Sequence, residues 1–186
     1  MRIVAGSARG RRLTTPTGLE VRPTTDRVRE AVFNSLGSLD VLEGARVIDL
    51  FAGSGALGIE ALSRGAAHVT FVDSSNKALD AVRTNLATCG FEAVATVVRA
   101  DAIAHLAHGS QQFDLALLDP PYGFDEWEEL LASLRADTIV IESDRSIPTG
   151  DGSEVLRERR YGGTVVTIAR SNGRVHHDRD TPEDRT

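Results

Sequence analysis

The chain has 186 residues, of which 41% are hydrophobic, and a formal net charge of -6. This length and composition predict one domain with a proper core, and the negative charge argues against general nucleic-acid affinity. Cys89 is the only cysteine, which excludes a disulfide framework, and no Cys/His cluster has zinc spacing. The sequence shows no signal peptide or membrane span, so we expect a cytoplasmic protein without a metal.

The first 21 residues are predicted to form a basic β-hairpin appended to the main domain. Residues 2–5 and 11–14 have the pattern of short strands around a turn at 6–10. Residues 1–31 hold seven arginines against three acids, a balance of +4, which leaves -10 for the remainder. A basic arm on an acidic body predicts a local polyanion contact. The alternative is a solvated edge hairpin whose arginines block aggregation.

Residues 22–170 are predicted to form an α/β domain. Thr25 or Asp26 can cap a helix from about 27 to 36, with an inner face of Val28, Ala31, Val32, Ser35 and Leu36. Strands are predicted at 47–51, 68–72, 96–100, 113–118 and 138–141, and helices near 56–64, 75–88 and 125–135. This alternation predicts a parallel, doubly wound, twisted sheet with right-handed crossovers.

The carboxyl-terminal part departs from this alternation. Residues 154–160 and 164–169 have strand character and are joined by Tyr161-Gly162-Gly163, which predicts an antiparallel edge hairpin. Residues 171–186 are polar, with almost no apolar side chains, and we expect this tail to be disordered.

A glycine turn follows the first predicted strand of the sheet. Gly53-Ser54-Gly55-Ala56-Leu57-Gly58 has G-x-G-x-x-G spacing between a strand and a helix, where a ligand can approach the backbone closely. Asp49 lies four positions before the first glycine. Its carboxylate would repel a pyrophosphate but suits a cationic amino-acid group. S-adenosylmethionine (SAM) carries an ammonium and a sulfonium and no phosphate, so it fits this turn better than NAD does.

Acidic residues also follow the next strands. Asp73 comes 24 residues after Asp49, where a ribose-binding acid is expected after one βαβ step. Asp101 follows the third strand and could accept from an adenine amine. Each acid could instead cap a helix. Acids at four strand ends, with Asp119 as the last, make capping an incomplete explanation.

The segment Asp119-Pro120-Pro121-Tyr122 follows the apolar strand 113–118. Two prolines cannot donate backbone hydrogen bonds and hold the chain extended, so the carbonyls of Asp119 and Pro120 can accept. Acceptors beside an aromatic ring suit a planar NH2 group, such as the exocyclic amine of a nucleobase. The alternative is a proline strand terminator with a packed tyrosine.

Taken together, four segments resemble the bacterial 16S rRNA guanine-N2 methyltransferases of the RsmD type, over roughly residues 2–170. They are Gly6-x-x-Arg9-Gly10-Arg11-x-Leu13, residues 22–30 with the sequence RPTTDRVRE, Asp49-x-Phe51-Ala52-Gly53-Ser54-Gly55-Ala56-Leu57-Gly58, and Asp119-Pro120-Pro121-Tyr122. The resemblance implies a Rossmann-like class I SAM methyltransferase fold. It also implies methylation of one guanine, guanine 966 in the family, within the small ribosomal subunit.

The resemblance implies three sets of site residues in a protein that we expect to be a monomer. Asp119 and the Pro120 carbonyl would hold the guanine amine, next to Pro121, and Tyr122 would stack on the base. The residues implied for SAM are Asp49, Gly53, Ser54 and Gly55 on the methionine part, Asp73 on the ribose, Asp101 on the adenine side, and Thr24 and Thr25 beside the carboxylate. The residues implied for rRNA contact are Arg2, Arg9, Arg11, Arg12, Arg22 and Tyr122.

Three other functions are compatible with parts of the sequence. One is an amino methyltransferase acting on another base, such as DNA adenine, or on a protein glutamine. Another is an NAD-dependent oxidoreductase, which would give Asp119-Pro120-Pro121-Tyr122 no task. The last is a ribosome-assembly factor that binds rRNA without catalysis. The net charge of -6 and the tail after Arg170 depart from what the resemblance implies.

Overall fold

The computed structural model describes residues 1–15, 26–121 and 123–172. In this part of the chain seven strands form one sheet in the order β3-β2-β1-β4-β5-β7-β6. Their bounds are Arg46–Leu50 (β1), His68–Asp73 (β2), Ala95–Arg99 (β3), Phe113–Leu118 (β4), Ala136–Ser143 (β5), Ser153–Tyr161 (β6) and Thr164–Ser171 (β7). Strands β1 to β5 pair in parallel, and β7 pairs antiparallel with β5 and β6. The predicted α/β fold with an antiparallel edge is confirmed.

The described helices lie on both faces of this sheet. They are Asp26–Ser38 (α1), Ala56–Ser63 (α2), Asn76–Cys89 (α3), Ala102–His108 (α4) and Trp127–Ser133 (α5), with a 3₁₀ turn at Glu92–Val94. No described helix is long and apolar enough to cross a bilayer. The sequence did not predict α4, because this seven-residue helix buries only Ala102 and Leu106, too few positions to show a helical period.

The core consists of two layers because adjacent residues of each strand point to opposite faces of the sheet. Val47 and Leu115 pack with α1, α2 and α3, whereas Ile48 and Ala116 pack with α4 and α5. Strands buried on both faces are near-continuous apolar runs, which is why the sequence predicted them well.

The amino-terminal hairpin forms, but its strands are shorter than predicted. One bridge pair, Arg2 with Arg12, replaces two strands of four residues. The reason lies in α2, because the backbone N–H groups of Val4 and Ala5 donate to the buried Glu60 carboxylate at 2.8 and 3.0 Å instead of pairing across the hairpin. Those two residues therefore connect the hairpin to the sheet domain.

The hairpin turn packs directly against the end of α2. Ser7 N–H donates to the Ser63 carbonyl at 2.7 Å, and Ala8 N–H donates to the Ser63 hydroxyl at 3.0 Å. Gly6 has a φ of 82°, and a Cβ placed on it would lie 1.7 Å from the Ser63 carbonyl oxygen. The turn therefore requires glycine at this position, both for its backbone conformation and for the close approach.

Arg29 does not belong to the basic arm that the charge count suggested. Its side chain is wholly buried, lies 3.6 Å from Glu60 as an ion pair, and donates to Asp26 at 2.8 Å. It also donates to the backbone carbonyl of Arg2. Arg29 thus joins α1, α2 and the hairpin, and it is not available for a polyanion.

Candidate functional site

The carboxyl ends of four parallel strands bring four acids to one edge of the sheet. Asp49 lies in β1, Asp73 ends β2, Asp119 follows β4 and Glu142 lies near the end of β5. The strand order reverses between β1 and β4, since β2 lies outside β1 and β5 lies outside β4. In open α/β sheets, ligands bind in the crevice at such a reversal.

The glycine turn between β1 and α2 has an unusual backbone. Phe51, Gly53 and Gly55 have φ values of 61°, 55° and 77°. A positive φ at a bulky residue such as Phe51 costs roughly 1–3 kcal/mol and is found mainly at functional sites. A Cβ on Gly53 would meet only the Phe51 carbonyl, at 3.9 Å, so the turn is open above this glycine. This opening is where a ligand could contact the backbone.

Asp49 is buried beneath the turn. One of its oxygens accepts from Gly58 N–H at 2.9 Å, and the side chain is 1% exposed. The arrangement requires glycine at position 58, because a Cβ there would lie only 2.3 Å from the Phe71 ring of β2. The buried Ser54 carbonyl accepts from Asn85 of α3 at 2.8 Å, which fixes the second residue of the turn.

Asp73 and Asp101 have different structural tasks. Asp73 accepts from Gly53 N–H at 2.9 Å and from Ser75 N–H at 2.8 Å, so it holds the glycine turn against the end of β2. Asp101 is exposed and caps α4 by accepting from Ala104 N–H at 3.0 Å. The cap interpretation is thus confirmed for Asp101, and a contact of its second oxygen with a ligand stays a prediction.

Burial raises the pKa of Asp49 well above its usual value of 3.8, and the hydrogen bond from Gly58 opposes this shift. The negative charges of Asp119, Asp73 and Glu142 raise this pKa further. The carboxyl edge therefore concentrates negative charge where little water reaches it. A cationic ligand would relieve this repulsion, whereas a phosphate would increase it.

Asp49→Asn is expected to stabilise the ligand-free protein near neutral pH. Asparagine keeps an oxygen for Gly58 N–H but removes a charge that burial disfavours. Folding raises the pKa of Asp49, so the protonated side chain stabilises the folded state relative to the unfolded state. This contribution is fully present below pH 3.8, the ordinary pKa of the group, and is lost as the pH rises through the raised pKa of the folded protein. The gain in Tm should be on the order of 2–4 °C at neutral pH.

Thermal unfolding of wild type and Asp49→Asn across pH measures this difference. The gain should shrink as the pH falls toward 3.8. The exposed Asp80 of α3 offers a control, since Asp80→Asn should change Tm by less than about 1 °C. A destabilised Asp49→Asn variant at neutral pH would show that the charged carboxylate is held by favourable contacts instead.

The segment after β4 forms a cavity wall. Asp119 is half-buried, Pro120 is buried and Pro121 is exposed, and the Pro121 carbonyl accepts from Phe124 N–H at 3.2 Å. The cavity beside this segment is lined by Pro120, Pro121, Gly123, Phe124, Trp127, Glu142, Ser143 and Asp144. Tyr122, predicted to stack on a base, lies outside the described residues.

A row of aromatic rings links this cavity to the glycine turn. Phe51 meets Phe124 edge to face with centroids 5.2 Å apart, and Phe124 meets Trp127 at 5.1 Å. The sequence did not single out these rings or Glu142. Glu142 could have been found by the same strand-end rule as the other acids, because it directly follows the apolar run 138–141.

The predicted rRNA-contact arginines divide into two groups. Arg2 donates to the Gly10 carbonyl at 2.9 Å and Arg11 donates to the Thr88 carbonyl of α3 at 2.5 Å, so both help to hold the hairpin. Arg9 and Arg12 are exposed, as are Arg2 and Arg11. Arg22, Thr24 and Thr25 lie outside the described residues, so their predicted roles are untouched by this geometry.

Comparison with known proteins connects this geometry with methyltransferases. A family model described as Conserved hypothetical protein 95 matches residues 1–170. Ribosomal RNA small subunit methyltransferase D of Escherichia coli is 37% identical over 175 residues, covering 89% of this chain and 87% of its own. YlbH of Bacillus subtilis, named as a candidate rRNA methyltransferase, is 41% identical over 186 residues, covering 93% of this chain and 100% of its own.

A solved structure shows the same arrangement. It belongs to yhhF of Escherichia coli, named as a candidate methyltransferase, and has a TM-score of 0.84 and 34% identity. The match covers 94% of this chain and 99% of the other. The family model, which matches residues 1–170, likewise spans both the amino-terminal hairpin and the sheet.

Proposed function

Since the chain belongs to the RsmD family of rRNA methyltransferases, we propose that it methylates the exocyclic N2 of guanine 966 in 16S rRNA. The substrate would be the small ribosomal subunit, and SAM would be the donor. One observation carries this proposal: Asp119 lies across the strand-order reversal from Asp49, close enough for its charge to raise the Asp49 pKa. An amine acceptor thus faces a site suited to a cation.

The residues around the glycine turn fit SAM. Buried Asp49 suits the ammonium, the open backbone at Gly53, next to Ser54 and Gly55, suits the methionine part, and Asp73, at the end of the neighbouring strand β2, would accept from the ribose hydroxyls. Asp101, Ser54, Thr24 and Thr25 complete the proposed set. When bound, SAM supplies a methyl group made electrophilic by its sulfonium. The carboxylates at this edge would repel the pyrophosphate of a dinucleotide.

The chain would act mainly by orientation. Asp119 and the Pro120 carbonyl accept the two amine protons of the guanine, which turns the nitrogen lone pair away from the ring and toward the methyl carbon. Attack by this lone pair would form the nitrogen–carbon bond as the carbon–sulfur bond of the donor breaks, with the bonding pair leaving on sulfur. The amine then loses a proton to the Asp119 carboxylate. Aligned acceptors of this kind contribute about 10²- to 10⁴-fold.

The base has to leave its stack to reach this edge, which costs least in a loop. Tyr122 would then stack on the guanine and contribute about 1–3 kcal/mol. The hairpin would contact rRNA phosphates through its exposed arginines, Arg9 and Arg12, together with Arg22. Because the hairpin is attached to α2 through Glu60, such contacts would be rigidly placed relative to the glycine turn.

The proposal is tested by identifying the product. Wild type is incubated with labelled SAM and small subunits that lack this modification, and the RNA is then digested to nucleosides. Label should appear in N2-methylguanosine at one position. Label in methyladenosine would favour an amino methyltransferase of another base, and binding without any label would favour an assembly factor.

Replacing Arg9 and Arg12 together by alanine is expected to weaken substrate binding without changing the methylated position. Each lost phosphate contact should reduce the slope of log affinity against log salt by about 0.7–0.9. Arg135→Ala is a matched control, because Arg135 is exposed at the opposite, amino edge of the sheet, just before β5. Filter binding to small subunits over a salt series would measure the slopes. Equal slopes for all proteins would mean that Arg9 and Arg12 do not contact phosphates.

A further inference from the structure

The cavity beside Asp119 contains polar groups that the methyl-transfer step does not use. Its wall includes the Glu142 carboxylate and the Trp127 indole, set among the apolar side chains of Pro120 and Phe124. The cavity has room for about one water molecule, so the edge of a base could reach it but a whole ring could not enter. These two groups limit which hydrogen-bonding edge of a base can bind here.

Glu142 is placed beside Asp119 by strand register. Leu118 of β4 pairs with Ile141 of β5, so Asp119 and Glu142 follow the same pair on neighbouring strands. Such strands lie about 4.8 Å apart, which lets two carboxylates accept from adjacent donors of one planar ligand. Glu142 is fully buried, and its charge contributes to the raised pKa of Asp49. A buried carboxylate at this position offers an acceptor right beside the proposed amine site.

Trp127 supplies a hydrogen-bond donor. The residue is 7% exposed, and its indole Nε1 finds no hydrogen-bond acceptor within residues 1–15, 26–121 and 123–172. A buried N–H without an acceptor is rare and costly, and such groups often mark a place for a ligand. Trp127 opens α5 and lies in the same wall as Glu142. The cavity therefore pairs an acceptor with a donor.

This pairing fits guanine and does not fit adenine. Along its Watson–Crick edge, guanine presents the N2 amine, then the N1–H donor, then the O6 acceptor. We propose that Glu142 accepts from guanine N1–H and that Trp127 Nε1 donates to O6, while Asp119 holds N2. Adenine would place an acceptor against Glu142 and a donor against Trp127. The inference rests on the proposed function and names the residues that select its base.

Two conservative variants separate the two contacts. Glu142→Gln keeps the shape but can turn an NH2 toward the base, and Trp127→Phe keeps a ring but lacks the N–H. The matched control is Glu128→Gln, an exposed acid next to Trp127 in α5 that is not part of the cavity wall. Thermal unfolding of each variant checks that it folds. Trp127 is the only tryptophan of the chain, so its fluorescence also reports binding in the wild type and in Glu142→Gln.

The assay uses small subunits reconstituted with 16S rRNA that carries either guanine or 2-aminopurine at the target. This analogue keeps the 2-amine but lacks both N1–H and O6. Wild type should prefer guanine by about 10²-fold or more in kcat/KM, since a site with buried polar groups rejects a ligand that leaves them unpaired. The control Glu128→Gln should show the same preference as wild type.

The variants should change this preference in different ways. Glu142→Gln should lose about 10-fold or more with guanine and gain with 2-aminopurine, because its NH2 can donate to the bare N1. Trp127→Phe should lose about 10-fold with guanine and stay unchanged with 2-aminopurine. Addition of the RNA should quench Trp127 fluorescence less strongly in Glu142→Gln than in wild type at equal concentration.

Other outcomes separate the two levels of inference. If wild type methylates guanine N2 but both variants keep its preference for guanine, the edge-reading roles are wrong and the proposed function stands. If wild type does not methylate guanine N2 in ordinary subunits, the proposed function is wrong, and so are the roles of Glu142 and Trp127 in recognising guanine. A variant that does not fold leaves the other variant to decide.

Discussion

Replacing Asp119 by alanine is expected to lower kcat for methyl transfer by about 10²- to 10⁴-fold. The variant loses the acceptor that aligns the amine and takes its proton, so the remaining Pro120 carbonyl can orient only one N–H. Affinity for the cofactor should stay within about threefold, because Asp49 and the glycine turn, which would hold the amino-acid part of the cofactor, stay in place. Single-turnover transfer to small subunits gives the rate, and calorimetric titration with S-adenosylhomocysteine gives the affinity.

Two further variants sharpen this prediction. Asp119→Asn keeps one acceptor oxygen and should fall between wild type and alanine. Asp125→Ala removes an exposed acid close in sequence and should transfer methyl at the wild-type rate. A rate for Asp119→Ala within about threefold of wild type would mean that the carboxylate has no part in the chemical step.

Replacing Glu60 by alanine is expected to lower the free energy of unfolding by about 3–5 kcal/mol. The change removes the buried carboxylate that pairs with Arg29, which keeps only the exposed Asp26, and it removes the acceptor for Val4 and Ala5 N–H. It also removes the acceptor of Arg64, which donates to Glu60 at 2.8 Å. Urea unfolding would measure the loss, and amide exchange should show Val4 and Ala5 losing protection first.

The double variant Arg29→Met with Glu60→Met tests the electrostatic reason. Replacing both partners of a buried pair by apolar side chains is often close to neutral, so the double variant should recover the part of the loss that comes from Arg29, but not the part that comes from Val4 and Ala5 N–H. Glu30→Ala changes an exposed acid of α1 and should stay within about 0.5 kcal/mol of wild type. A Glu60→Ala loss below about 1 kcal/mol would show that Glu60 does not hold the hairpin.

The sequence predicted the sheet and the glycine turn because their signals are local. A strand buried on both faces is a continuous apolar run, and a strand–glycine–helix junction has fixed spacing. The sequence also predicted Asp49, Asp73 and Asp119 at the carboxyl edge of the sheet, because each is located by the strand next to it. Whether these acids bind the proposed ligands depends on distances that spacing does not encode.

What the sequence could not predict depends on contacts between distant segments. A count of arginines cannot show that Arg29 is buried against Glu60, or that Glu60 replaces the hairpin partner of Val4 and Ala5. The donor role of Trp127 has no local signal either, because an aromatic residue at the start of a helix is most often ordinary core. Helix α4 was missed because it buries so few residues.

A crystal structure of the protein with bound SAM tests the central claim most directly. A reacting amine lies about 3–3.5 Å from the methyl carbon and about 3 Å from its acceptor. We therefore expect the methyl carbon on the crevice side of residue 119, within about 6 Å of the Asp119 carboxylate, and the ammonium beside Asp49. A methyl carbon about 10 Å or more from that carboxylate would contradict the account.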